Sequence, residues 1–175
     1  NPVKTLAADK MTVEVYDTRD HMGQAAAFYV AEKIKEIAGK KDEVNIIFPC
    51  AVSQSDFFHY LFSMEDIPWQ QVNGFVMDEY LGLPKGHPSQ LSIFANREIF
   101  GKVPFRNGFI MDATNPDFEQ ERLRYSALLQ KHPLDISCLG IGENGHLAYN
   151  DPHVADFNDP ELVKLVEIDD TSRQQ

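Results

Sequence analysis

The sequence is poor in cysteine and has no long apolar run. Cys50 and Cys138 are its two cysteines and both stand in apolar surroundings, so a disulfide-stabilised fold is not indicated and a reducing compartment is favoured. No apolar stretch has the ~20 residues that cross a bilayer, and residues 1–11 lack the charged and then apolar pattern of a secretory signal. We therefore expect a cytoplasmic protein without a membrane segment.

Basic residues are also scarce. Lys and Arg number 16 against 27 Asp and Glu, which gives a formal net charge of −11 and opposes binding to nucleic acid or to an anionic membrane. One small anionic ligand remains compatible, because a few backbone N–H groups and a single cation in a cleft can hold it. With 43% hydrophobic residues, the chain is typical of a globular protein, and its length predicts one domain over residues 1–175.

Short β-branched runs alternate with longer amphipathic segments along the chain. Strands are predicted at residues 12–16, 44–48, 72–77, 109–111, 135–141 and 162–168, and helices at residues 24–38, 56–64, 89–100 and 115–132. We expect helix starts at Asp17-Thr18, at Ser53 or Ser55, and at Asn115. The alternation predicts a doubly wound, mostly parallel α/β sheet with helices on both faces, Rossmann-like in outline. A further helix signal begins at residues 169–171, so we expect the domain to continue beyond residue 175.

Unusual polar clusters follow three of the predicted strands, and open α/β sheets bind ligands at the carboxyl ends of their strands. In the second cluster Asp78 and Glu79 are adjacent carboxylates after an apolar strand. Partial burial can raise the pKa of one of them and make it a general base. Alternatively, one caps the following turn and the other is solvated.

Residues 140–145 match the pattern G-x-G-x-x-G after a predicted strand. A dinucleotide site needs a helix directly after this turn, but residues 146–160 contain two prolines and no helical period. The glycines instead favour a tight bend that places His146 in a cleft, where it is either an acid/base group or a hydrogen-bonded structural residue. The paired His or Cys spacing of a zinc site is lacking, so neither a metal nor a cofactor is predicted.

The first cluster, residues 49–54, lies at a predicted helix start and offers backbone N–H groups that can hold an anion. It contains no glycine and no Walker lysine, so it does not match a nucleotide-binding loop. Cys50 within it is interpreted as a small buried side chain.

Two long motifs carry a family resemblance. Residues 77–84 (MDEYLGLP, followed by His87-Pro88) and residues 140–152 (GIGENGHLAYNDP) together resemble the glucosamine-6-phosphate deaminase/isomerase family, which is related to the 6-phosphogluconolactonases. The resemblance extends from about residue 11 to the end of the chain. It implies conversion of glucosamine 6-phosphate, or a similar hexosamine 6-phosphate, to a ketose phosphate and ammonia, without a metal or organic cofactor. The family continues past this point with basic residues that hold the substrate phosphate.

The resemblance also implies roles for individual residues. Asp78 is expected to move a proton between C2 and C1 of the sugar. His146 is expected to assist ring opening, oriented by Asn144 and Asp151. The set expected to bind substrate and its phosphate comprises Ser53, Gln54, Glu79 and Gly145.

The chain departs from the family pattern at three places. Asn144 stands where the family has Asp, Asp151 where it has Glu, and residues 51–53 (AVS) where it has Gly-Gly-Thr. Two alternatives to the deaminase stay open: a sugar-phosphate lactonase of the same fold superfamily, and a catalytically weak sugar-phosphate-binding relative. The motif at residues 78–80 favours the deaminase, and a homo-oligomer is compatible with the sequence.

Overall fold

The computed structural model describes residues 1–173. Its strands are β1 Lys4–Ala8, β2 Met11–Val15, β3 Val44–Phe48, β4 Val72–Val76, β5 Asn107–Phe109 and β6 Ile136–Ser137. Its α-helices are α1 Arg19–Ala38, α2 Ser55–Phe62, α3 Leu91–Ala95, α4 Phe118–Lys131 and α5 Asp170–Arg173. Single 3₁₀ turns occur at Val52–Gln54 and Trp69–Gln71, and α3 continues as a π-helical turn over Asn96–Phe100. Within this part of the chain no helix combines the length and apolarity that a bilayer crossing requires.

Four parallel strands form the central sheet, in the order β5-β4-β3-β6. The chain proceeds outward from β3 through β4 to β5 and then returns to the other side of β3 as β6. All five residues of both β3 and β4 are buried, as expected of strands covered on both faces. The predicted α/β class with a parallel sheet is therefore confirmed.

Aromatic side chains show that helices cover both faces of this sheet. Phe48 of β3 packs against Phe58 and Phe62 of α2, with ring centroids 6.1 and 6.3 Å apart. Phe75 of β4 meets the ring of Tyr125 in α4 edge-on at 6.2 Å. Phe48 pairs with Val76, the residue after Phe75, and successive strand residues point to opposite faces. Phe48 and Phe75 therefore point to opposite faces, and the sheet lies between α2 and α4.

Tyr125 also ties α4 to the sheet by hydrogen bonds. Its hydroxyl donates to the carbonyl of Val76 at 2.7 Å and accepts from the Val76 N–H at 3.1 Å. The side chain is fully buried, so the polar end of the ring is satisfied where water is excluded. These bonds fix α4 beside the carboxyl end of β4.

Two of the predicted helix starts are wrong and one is confirmed. Thr18 caps α1 by accepting a hydrogen bond from the His21 N–H at 3.1 Å. Neither Ser53 nor Ser55 caps α2, because a 3₁₀ turn precedes the helix and Gln54 occupies the cap position without a side-chain bond. Asp117, rather than Asn115, caps α4 by accepting from Gln120 N at 2.9 Å.

Several strand predictions also need correction. Residues 162–168 form no strand, and the strand predicted at 135–141 is reduced to Ile136–Ser137, because β-type alternation produces a strand only where a neighbouring backbone is available to pair. The strand predicted at 109–111 ends at Phe109. The strand predicted at 12–16 pairs antiparallel with β1, which the sequence interpretation missed, and this hairpin is separate from the parallel sheet.

Asparagines form a ladder near the amino ends of the sheet strands, buried at Asn45 and Asn73 and exposed at Asn107. Asn45, Asn73 and Asn107 lie side by side in register on β3, β4 and β5. Asn73 Nδ2 donates to Asn45 Oδ1 at 2.8 Å, and Asn107 Nδ2 donates to Asn73 Oδ1 at 2.8 Å. Asn73 Nδ2 also donates to Glu43 Oε2 at 3.0 Å, and Asn45 Nδ2 donates to the Pro133 carbonyl at 3.0 Å. The buried amides of Asn45 and Asn73 therefore have protein partners where water is excluded.

Replacement of Asn73 by alanine is expected to lower the free energy of unfolding by about 2 kcal/mol, because the buried Asn45 Oδ1 loses its donor. Chemical denaturation of wild type and variant measures the difference. Asn158→Ala, at an exposed loop position, is the matched control and is expected to change stability by less than about 0.5 kcal/mol. Equal effects of the two substitutions would contradict a stabilising role for the ladder.

Candidate functional site

A large cavity opens beside the carboxyl ends of the sheet strands. It measures about 1420 Å³, and its wall includes Asp78 and Glu79 after β4, Tyr125 of α4, and Gly145 and Tyr149 from the loop after β6. Parallel strands bring their carboxyl ends to one edge, and ligands of doubly wound sheets bind there. The cavity is therefore the candidate binding site.

Asp78 supplies an unusual carboxylate to this cavity. The side chain is largely buried, and its Oδ1 atom has no hydrogen-bond partner within the described chain. Burial, with a smaller contribution from the charge of Glu79, raises the pKa of Asp78 to about 6. A carboxylate with a pKa near neutrality and a free oxygen is suited to accept and return a proton.

Glu79 has a different environment although it is the next residue. Its carboxylate accepts hydrogen bonds from the backbone N–H groups of Leu91 and Ser92, at 2.8 and 2.7 Å, and from that of Tyr80 at 2.8 Å. Leu91 and Ser92 begin α3, so Glu79 satisfies N–H groups that have no partner inside the helix. Of the two interpretations of the acidic pair, capping therefore describes Glu79.

His146 is the centre of a compact polar cluster. Its Nδ1 atom lies 2.8 Å from Asn144 Oδ1, 3.0 Å from Asp151 Oδ1 and 3.2 Å from Ser172 Oγ. The side chain is 11% exposed. All hydrogen bonds of the ring within residues 1–173 are made through Nδ1, and Nε2 has none. His146, Asn144 and Asp151 are not among the residues that line the cavity, whereas Gly145 and Tyr149 of the same loop are.

Asn144 is held in one orientation by two carboxylates. Its Nδ2 donates to Asp151 Oδ1 and to Asp169 Oδ2, each at 2.9 Å. Because the NH₂ group is engaged on that side, the amide oxygen faces His146 and accepts from it. The neutral amide thus connects the imidazole to two negative charges.

Asp151 is a fully buried charge in this cluster. Burial by itself opposes ionisation, but hydrogen bonds from Ser172, Asn144 and the Asp169 N–H, together with the nearby His146, lower the pKa of Asp151 below its ordinary value. The shortest of these bonds, from Ser172 Oγ, measures 2.6 Å. Buried carboxylates with several donors remain ionised, so Asp151 supplies a permanent negative charge beside His146.

Glycines shape the loop that carries His146. Gly145 has φ +85°, a left-handed conformation in which glycine is favoured. At Gly142 a Cβ atom would come within 3.0 Å of the imidazole of His146, so the absence of a side chain makes room for the ring. No helix follows the loop between residues 146 and 160, which agrees with the argument against a dinucleotide site.

The same loop then contains two strained residues. Ala148 and Tyr149 have φ +48° and +58°, values that cost about 1–2 kcal/mol for each residue with a Cβ. Such strain persists where the surrounding contacts fix the backbone, and it is common at functional sites. Tyr149 has those contacts, since its hydroxyl bonds to that of Tyr80 and its ring lies 5.7 Å from His146.

The other predicted site residues, Ser53 and Gln54, belong to the turn before α2. Ser53 is exposed and its carbonyl accepts from Arg19 at 3.3 Å, while Arg19 also pairs with Asp56 at 2.5 Å. The side-chain Nε2 of Gln54 lies near Gly140, three residues after β6. Neither residue lines the cavity, and no hydrogen bond within residues 1–173 joins them to Asp78 or to the His146 cluster.

Candidate metal ligands also come together near this cluster. Ligand atoms of Asp151, His153 and Asp169 lie within 4.8 Å of one another. However, both oxygens of Asp151 already accept hydrogen bonds, and His153 Nε2 lies 3.0 Å from the Glu167 carbonyl. Because protein groups already bond to these candidate ligand atoms, the arrangement is better described as a hydrogen-bonded cluster than as a metal centre.

Sequence interpretation missed four residues that complete the site. Tyr80 and Tyr149 stand within the two motifs but have no role assigned by residue type alone. Asp169 carried only the helix-start signal of residues 169–171, which the structure bears out because Asp169 accepts from the Ser172 N–H at 2.8 Å and precedes α5. Ser172 carried no signal. Their contact with the His146 cluster joins residues more than 20 positions apart, and nothing local in the sequence indicates it.

Comparisons with known proteins agree on one family. The family described as glucosamine-6-phosphate isomerases/6-phosphogluconolactonase matches residues 17–167. Among curated relatives, the glucosamine-6-phosphate deaminase of Streptococcus sanguinis is 33% identical over 113 residues, covering 65% of this chain and 48% of the relative. That of an Exiguobacterium species is 32% identical over 146 residues, covering 83% and 55%. The chain spans about half the length of the curated relatives it matches.

Solved structures show the same fold. A monomeric glucosamine-6-phosphate deaminase superposes with a TM-score of 0.78 at 26% identity, covering 90% of this chain and 65% of that one. A 6-phosphogluconolactonase from Plasmodium vivax superposes with a TM-score of 0.75 at 17% identity, covering 86% and 55%. At that identity the second likeness concerns the fold alone.

Gly142→Ala is expected to displace His146, because the new methyl group would overlap the imidazole ring. We expect stability to fall by about 1–3 kcal/mol and His146 to react faster with diethyl pyrocarbonate, as measured by mass spectrometry of the modified peptide. Gly140→Ala is the control, because a Cβ there makes only an ordinary 3.5 Å contact with Gln54. The same reaction rate in both variants would show that Gly142 does not seat the ring.

Proposed function

Since the chain belongs to the family of glucosamine-6-phosphate isomerases and 6-phosphogluconolactonases, we propose that it deaminates and isomerises a hexosamine 6-phosphate. In this reaction glucosamine 6-phosphate, or a similar amino sugar phosphate, reacts with water to give a ketose phosphate and ammonia. The observation that carries the proposal is the largely buried carboxylate of Asp78 in the wall of the cavity, whose Oδ1 has no hydrogen-bond partner within the described chain. Identity to curated deaminases at about one third of positions supports this choice.

Asp78 acts as the base in the proposed mechanism. The open-chain sugar must lose its C2 proton and gain one at C1, so a single group has to take up and return a proton. A base with a pKa near the working pH does both efficiently. Loss of the C2 proton gives an enamine, and protonation at C1 converts it to an imine at C2. The imine takes up water at C2 and releases ammonia, which balances the reaction.

His146 opens the sugar ring before this step. Ring opening moves a proton from the anomeric hydroxyl to the ring oxygen, and Nε2 of His146 is the nitrogen left for that exchange. Asn144 and Asp151 hold the ring in orientation through Nδ1. We assign Glu79 to the support of α3 and Gly145 to the loop bend, and keep Ser53 and Gln54 as candidates for phosphate binding through the turn before α2.

The first test is a product assay with the full-length protein on glucosamine 6-phosphate, with galactosamine 6-phosphate beside it. Ammonia and ketose phosphate in equal amounts are expected. A lactone substrate, 6-phosphogluconolactone, is the comparison, because a lactonase releases acid and no ammonia. Acid release without ammonia would replace the deaminase with the sugar-phosphate lactonase. Thermal stabilisation by the sugar phosphate without either product would replace it with the sugar-phosphate-binding relative.

Asp78→Asn is expected to lower activity without lowering stability. Turnover is expected to fall by about 10²–10⁴-fold, the contribution of a general base, and the acid limb of the wild-type rate profile is expected near pH 6 because the base must be ionised. Asp42→Asn, at an exposed position near the amino end of the sheet, is the matched control and should keep full activity. Unchanged turnover in Asp78→Asn would remove Asp78 from the mechanism.

At pH 7 the Asp78→Asn variant is expected to have a higher free energy of unfolding than wild type. The pKa of Asp78 is about 6 in the folded protein and about 4 when unfolded, so the folded state binds the extra proton between these values. Wild-type stability therefore decreases as the pH rises from about 4 to above 6, and the variant lacks this loss. Denaturation at pH 4.5 and 7 should give a stability difference that grows with pH, and a difference that shrinks would contradict the assignment.

A further inference from the structure

Two tyrosines meet between the loops that carry the proposed catalytic groups. Tyr80 follows the Asp78-Glu79 pair, and Tyr149 stands three positions after His146. Their hydroxyls are hydrogen-bonded to each other, and their rings lie 5.6 Å apart at 49°. This is a contact across 69 positions of sequence, and both side chains line the cavity.

Tyr149 contacts residues from both loops that carry the proposed catalytic groups. Its ring lies 5.7 Å from the imidazole of His146 at an interplanar angle of 31°. Its backbone adopts a left-handed conformation together with that of Ala148, so the contacts of the side chain offset a strained main chain. The ring therefore lies between His146 and the residue that follows the Asp78-Glu79 pair.

The hydroxyl of Tyr149 is suited to binding, not to proton transfer. Burial, followed by the bond to Tyr80 and the charges of Asp78 and Asp151, raises the pKa of Tyr149 above its ordinary value. The group keeps its proton at all ordinary pH values. It can therefore fix a position by hydrogen bonding while Asp78 and His146 move protons.

We propose that the Tyr80–Tyr149 hydroxyl pair is a positioning device that sets the placement of His146 relative to Asp78. Tyr80 acts through Tyr149, and Tyr149 acts through its ring contact with His146. The proposal rests on the proposed function for its kinetic consequences. Its structural part is that the placement of the His146 ring depends on the Tyr80 hydroxyl. That part holds for any reaction at this site.

Three variants and one control test the pair: Tyr80→Phe, Tyr149→Phe, the double variant, and Tyr29→Phe. Phenylalanine removes the hydroxyl and keeps the ring. Tyr29 on α1 is 65% exposed and serves as the matched control. Each variant of the full-length protein is examined by histidine-selective NMR and by steady-state kinetics on glucosamine 6-phosphate.

The NMR readout does not depend on activity. Tyr80 has no hydrogen bond to His146 within the described chain, and Tyr149 contacts both residues, so a shift of the His146 imidazole signal in Tyr80→Phe is expected to pass through Tyr149. We expect that shift in both single variants and none in Tyr29→Phe. An unchanged His146 signal in Tyr80→Phe would overturn the proposal, whether or not the protein is a deaminase.

The kinetic readout uses the coupling of the two hydroxyls. Each single variant is expected to lose about ten-fold in kcat with little change in KM, and the double variant no more than either, because both substitutions break one bond. We also expect the acid limb of kcat/KM to move to lower pH, since a loosened loop admits water to Asp78. A hundred-fold loss of kcat in the double variant would contradict positioning through the pair, and so would an acid limb of kcat/KM that does not move. An inactive wild type would refute the proposed function alone.

Discussion

The parallel pairing of β3 with β4 is the contact on which the rest of the structure depends. Val44 pairs with Val72 and Phe48 with Val76, so the two strands end together. The chain therefore leaves both strands at one edge, with the turn at residues 49–54 beside Asp78. Because β6 joins the free side of β3, the loop of His146 leaves at the same edge, while the asparagine ladder satisfies buried polar groups near the opposite end of the strands.

Environment gives two aspartates of the site opposite properties. Asp151 is fully buried, but side-chain and backbone donors surround it and keep it charged. Asp78 is also largely buried, but its Oδ1 has no donor within the described chain, so burial and the charge of Glu79 raise its pKa to about 6. Titratable groups whose surroundings separate their pKa values take different roles in catalysis. In the proposed mechanism one carboxylate holds a histidine in place and the other exchanges a proton.

Most of the fold could be predicted because its elements are strongly patterned. The strand at residues 44–48 and the helix that ends at residue 38 match the structure, since a short β-branched and apolar run and helical spacing are properties of the local sequence. The hairpin of β1 with β2, the short β6 and the unpaired residues 162–168 could not be predicted in this way. Their state depends on which backbone lies beside them, and pairing partners are distant in sequence.

The sequence by itself determined which reactive groups exist and which of them are near each other along the chain. Asn144, His146 and Asp151 lie within eight residues, and Gly145 among them permits a tight bend, so their association is local. Only the tertiary structure decided that Glu79 supports α3, that Ser172 and Asp169 complete the cluster, and that Tyr80 meets Tyr149. These contacts form when the sheet brings distant loops to one edge, and side-chain burial and hydrogen bonding there, rather than residue type, set which oxygen remains free to react.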